Sequence, residues 1–152
     1  MTPQEKILLV EDLSSRMIHG VKVEHVPSSI RGQLHDMVVY PVYGENDEVV
    51  DVSCQIDFFG DGTYIDVTEF KPVLRKISSM TKEEISDLKA KTKAKQYGNN
   101  VTLPVMDDFG FDELWHENDY GNVIRWLKAN QFDCNGLIEL GLAIEQEENE
   151  ET

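Results

Sequence analysis

Along the first stretch of the chain the apolar positions return at the period of a helix. Leu9, Leu13 and Met17 stand at i, i+4 and i+8 with Ile7 and Val10 alongside, which predicts a helix with one buried face running to about Ile18. Thr2-Pro3-Gln4-Glu5 opens it: Thr2 caps, Pro3 suits the first turn and Glu5 completes a capping box. Gly20 supplies a left-handed stop. Beyond it the period becomes two. Val21 and Val23 alternate with Lys22 and Glu24 as one face of a strand requires, and Pro27-Ser28-Ser29 breaks the run. Extended runs follow over residues 34–43 and 49–59, Gly60-Asp61-Gly62 turns the chain into a fourth over 63–67, and a fifth short strand is expected over 73–77 after Pro72. These predict an antiparallel meander of four to five strands, which at this size can curl into a small barrel.

The second half is helical. In Met80-Thr81-Lys82-Glu83-Glu84-Ile85, Thr81 caps, Glu84 reaches back from the third helical position, and Met80 staples onto Ile85. The helix predicted from there continues through Lys95 with a thin apolar stripe of Ile85, Leu88 and Ala94, so its lysines should face water. Pro104 interrupts the next stretch, where Phe109, Phe111, Leu114 and Trp115 predict an aromatic loop or short helix over the core. Tyr120, Val123, Ile124 and Leu127 share one face of a helix over 120–129, with Trp126 beside it. A last short helix is expected over 135–140, stopped at Gly141, with Leu142 packing back on Leu137. The expectation is one α+β domain over 1–144: an N-terminal helix, an antiparallel sheet, then two to three helices, with an acidic disordered tail over 145–152.

Charge narrows the partners. The net charge is -15, from 29 acidic against 14 basic residues, and long-range repulsion of this size disfavours direct nucleic-acid binding and anionic membranes. The distribution is uneven: eight basic residues fall between Lys71 and Lys95, opposed by Glu83, Glu84 and Asp87 alone. No run of about 18 apolar residues occurs and Met1-Thr2-Pro3-Gln4-Glu5-Lys6 lacks the features of a signal peptide, so a cytoplasmic protein is expected. Cys54 and Cys134 are far apart, form no CxxC pair, and read as reduced, buried thiols.

Three stretches are familiar in combination. They are Leu8-Leu9-Val10-Glu11-Asp12-Leu13-Ser14-Ser15-Arg16 with Gly20-Val21-Lys22-Val23, then Lys71-Pro72-Val73-Leu74-Arg75-Lys76-Ile77-Ser78-Ser79-Met80-Thr81-Lys82-Glu83-Glu84, then Trp126-Leu127 with the run from Phe132-Asp133-Cys134 to Ala143-Ile144-Glu145. In this order they resemble a family of short, uncharacterised phage and prophage proteins of anaerobic gut bacteria. The resemblance implies a mobile element in a bacterial host, and it carries over no catalytic or binding residues. The middle of the chain, 31–68, departs from the family in being more extended and more acidic.

Local motifs for chemistry are sparse. Asp57, Asp61 and Asp66 around Gly60 and Gly62 resemble a calcium loop that lacks ligands at its third and twelfth positions, Phe59 and Thr68, and a hairpin turn explains the run. The histidines at 19, 25, 35 and 116 have no helical i, i+4 spacing, and neither cysteine has a basic neighbour in sequence to activate it. No phosphate-cradling loop, dinucleotide fingerprint or HExxH occurs, so neither cofactor nor metal is expected. Motifs therefore point to a non-catalytic protein, an active site assembled from distant residues being left open. Phe109, Phe111, Trp115 and Trp126 are the candidate binding residues, types enriched at interface anchors. The leading expectation is a module that binds a host or phage protein through this aromatic region or through the sheet. Two others stand beside it: an acidic mimic of DNA that occupies a host nucleic-acid site, and a hydrolase in which Asp57, Asp61 or Asp66 converges with another acid around a metal.

Overall fold

The computed structural model describes residues 1–92 and 117–147. Its elements are those of an α+β protein: α1 (Pro3–Arg16), β1 (Lys22–His25), β2 (Ile30–Gln33), β3 (Asp36–Tyr43), β4 (Val49–Asp57), β5 (Tyr64–Asp66), β6 (Phe70–Leu74), α2 (Lys82–Thr92), α3 (Glu117–Ala129) and β7 (Ile144–Glu145). They fall into two compact units, the first comprising Met1–Val73 with Glu139–Ile144, and the second the described residues of 74–138 together with those from Glu145 onward.

The first unit begins as its cap dictates. The Thr2 hydroxyl accepts from the Glu5 amide at 3.1 Å while the Glu5 carboxylate accepts from the Thr2 amide at 2.9 Å, so two otherwise orphaned donors are satisfied. Leu9, Val10 and Leu13 are buried, and α1 packs on β4. Asp12 and Arg16, one turn apart on the same helix, are also completely buried as an ion pair, Arg16 Nε donating to Asp12 Oδ2 at 2.8 Å. A 3-10 turn, Met17–His19, then leads to Gly20 at φ +75.

The strands do not form one sheet, nor a closed barrel. They make a four-stranded sheet in the order β2-β1-β6-β7 and a separate three-stranded sheet β3-β4-β5. The partition starts at Pro27-Ser28-Ser29, which reverses the chain instead of merely ending a strand. Ser29, at φ 58, completes the turn, and Ile30–Gln33 returns as β2 against β1, a strand that the sequence pattern does not reveal. β6 opens at Phe70 and pairs with β1 through Val23↔Pro72, earlier than the expected 73–77 and with the proline inside the strand.

The second unit is built on α2 and α3. Ile77, Met80, Leu88, Val123, Trp126, Leu127, Phe132 and Cys134 make its core, with Ile85 and Ile124 packed against it. Thr81 and Glu84 form the reciprocal cap anticipated for α2, each bond 3.1 Å. The expected helix over 135–140 is replaced by turns. Asp133 causes this: its carboxylate accepts from the amides of Leu137 and Ile138 at 3.0 and 2.9 Å and from Asn135 at 3.4 Å, satisfying donors that a helix would otherwise leave open. Gly136, at φ +72, also cannot continue a right-handed helix. At the end of the chain Gln146 donates its amide to Leu74 O at 2.7 Å, and residues 148–152 lie outside the description.

Candidate functional site

Of the four aromatic candidates, Phe109, Phe111 and Trp115 lie outside the described residues. Trp126 sits in the core of the second unit, 8% exposed, its ring stacked on Phe132 at 5.8 Å and its Nε1–H donating to Asp87 at 3.0 Å. The guanidinium of Arg75 covers the other partner of that stack, 4.3 Å from the Phe132 ring, and makes two 2.7 Å bonds to Glu84.

The open surface is on the three-stranded sheet. Side chains alternate across a strand, so the pairs Met37↔Ile56, Val39↔Cys54 and Pro41↔Val52 share one face, and α1 lies on the β4 side of it. Helix and strand together bury Val52, Cys54 and Ile56. Coverage is incomplete: Ser14 of α1 reaches Met37 of β3, its Oγ 3.9 Å from the sulfur, but Val39 and Tyr43 of β3 are 38% and 62% exposed and Val49 of β4 is 48% exposed. A cavity of about 500 Å³ opens there, lined by Ile7, Val10 and Ser14 of α1 and by Val39, Val49 and Val52, with Glu11 among its few polar groups. Its size is that of a specific binding pocket. Lys6 of α1 pairs with Asp51 of β4 at 3.1 Å, and the Asp51 carboxyl is held below its ordinary range by the Val52 amide first and Lys6 second. The opposite face of the hairpin is also partly apolar, with Tyr40 and Val42 exposed.

Two further clusters bear on chemistry. His25 Nδ1 stands 2.7 Å from Ser28 Oγ and its Nε2 3.0 Å from Glu69 Oε1, a serine–histidine–glutamate relay that spacing in the sequence does not show. Acyl transfer would also need donors where negative charge develops. Here the hydroxyl lies on the outside of a turn with the His25 carbonyl oxygen 3.4 Å away, so the relay's evident effect is to fasten the β1–β2 turn to Glu69. The glycine turn is likewise an internal cap. Asp57 accepts from the amides of Gly60 and Gly62, Asp61 from Thr63, and Asp66 from Thr68. Among the described residues no group of three or more His, Cys, Asp or Glu is placed to hold a metal ion.

Comparison with known proteins finds no matching family model, curated protein or solved structure. Function must be argued from the site.

The groove has a signature in the sequence that strand periodicity alone passes over. Met37-Val38-Val39-Tyr40-Pro41-Val42-Tyr43 is apolar at consecutive positions, where a half-buried strand would alternate, and between Arg31 and Lys71 nine carboxylates occur without one lysine or arginine. Both faces of β3 are thus offered to apolar contact inside a uniformly acidic segment. Behind the groove Cys54 is buried, and burial raises its thiol to about 11, which leaves it protonated and a poor nucleophile.

Proposed function

We propose that this protein is a non-catalytic protein-binding module of a phage or prophage, working in the cytoplasm of a bacterial host, and that the groove between α1 and the β3–β4 hairpin is where it binds. The observation that carries the reading is the half-covered sheet face. A face buried under α1 at Val52, Cys54 and Ile56 continues without a break into exposed Val39, Val49 and Tyr43. Contiguous exposed apolar surface costs solubility, and when it adjoins a formed cavity it fits a partner's side chains. The sequence resemblance supports the mobile-element setting. Imitation of DNA is less well supported, since a mimic presents regularly spaced carboxylates, whereas Asp57, Asp61 and Asp66 bond to their own turns.

Affinity capture from host lysate with the wild-type protein and with Val39→Glu tests this, each repeated at low and moderate salt. Expected is one stoichiometric protein that survives moderate salt with the wild type and is lost with the variant. A partner held equally by both would place binding elsewhere. Turnover of a substrate, abolished by a point substitution such as Ser28→Ala, would replace the module reading with an enzyme.

A further inference from the structure

We infer that the groove takes a cationic amphipathic helix presented by the partner protein; this rests on the docking reading above and specifies its occupant. Charge is the first argument. The floor and walls are apolar, but the segment that builds the hairpin holds only negative charges, and Glu45, Asp47 and Glu48 stand exposed in the turn that precedes Val49. Glu11 reaches the cavity from α1 and forms no ion pair with a described residue. A ligand with an aliphatic stripe flanked by lysine or arginine complements both features, and an acidic ligand is repelled.

Backbone geometry is the second argument, because it separates a helix from an added strand. β3 is the edge of its sheet and at eight residues is long enough to template a further strand. Pro41 stands in its middle without an N–H to donate, and the register shifts between Val42 and Tyr43. A strand added there would leave a buried acceptor unpaired, whereas a helix brings its backbone bonds already satisfied and asks only for an apolar trough. α1, with 14 residues, is about 21 Å long, which sets a trough for roughly four turns of a partner helix lying beside it.

The test is titration of the isotopically labelled protein, followed by NMR, with three synthetic peptides. One is a 14-residue amphipathic helix of leucine and lysine, the second has glutamate at each lysine, and the third is the first with one central leucine replaced by proline, which breaks the helix. The cationic helix should shift amides of α1, β3 and β4 and bind at least tenfold more tightly than either of the others. Glu11→Lys should weaken it about tenfold. Val39→Glu should weaken it too, although this substitution adds negative charge, so tighter binding to that variant would reveal plain electrostatic adhesion and overturn the inference. If the acidic or the broken peptide binds these amides equally well, the occupant is wrong and the docking reading stands. If none of the peptides moves them, the inference fails, and the capture experiment with Val39→Glu judges the docking reading separately.

Discussion

Asp12 and Arg16 are the residues at which local and tertiary logic meet most sharply. Their i, i+4 spacing on α1 suggests a surface ion pair, yet both side chains are 0% exposed. A surface pair of this kind contributes little, whereas a buried one is expensive to break because the remaining charge stays in a poorly solvating interior. Asp12→Ala should therefore lower stability by about 3–5 kcal/mol in urea unfolding. Replacing both, as Asp12→Leu with Arg16→Met, should cost less than the single change. If Asp12→Ala costs under about 1 kcal/mol, the pair is solvated and its burial has been misread. His25 teaches a similar lesson. Its partners Ser28 and Glu69 lie 3 and 44 positions away, and only folding brings the second within 3.0 Å.

Among the elements, α2 shows how a local signal acquires a long-range duty. The Thr81–Glu84 cap is legible in the sequence, and the same Glu84 carboxylate also takes both bonds from Arg75, which in turn covers Phe132. Arg75 is the main reason the Glu84 carboxyl is held below its ordinary 4.5, with the Thr81 amide contributing after it. A carboxyl whose folded pKa is depressed stabilises the fold above its unfolded value, and that contribution is lost as pH falls through the folded value. Glu84→Gln should thus cost about 1 kcal/mol near pH 7, and the gap between variant and wild type should close as the pH is taken below about 4. Urea midpoints of both proteins across that range would show it. A gap that persists unchanged in acid would mean that hydrogen bonding, with no charge term, holds the cap. The turn after Asp133 is the counterexample, since a helix written in the apolar spacing of 135–140 gives way to a carboxylate that collects the same amides.

For the whole molecule, the question is which apolar surface is core and which is offered outward. Val39 and Ile56 belong to one sheet face, but Ile56 is fully buried and Val39 more than a third exposed. Ile56→Ala should cost about 3 kcal/mol, from lost transfer energy and the cavity left behind, while Val39→Glu should cost about 1 kcal/mol and leave the circular-dichroism spectrum unchanged. Equal costs would make the groove part of the core. The sequence by itself determined the α+β class, the caps of α1 and α2, most strand positions and the glycine turn, because each depends on residues within a few positions of one another. It also held the unbroken apolar run of β3 and the acidic segment around it. Only the tertiary structure decided that the strands divide into two sheets, that Trp126 is interior, that Asp133 replaces a helix, and that α1 leaves Val39 of β3 partly uncovered. Burial is set by whatever lies across a face, and that neighbour arrives from a distant part of the chain, so no local period can state whether a valine will be covered.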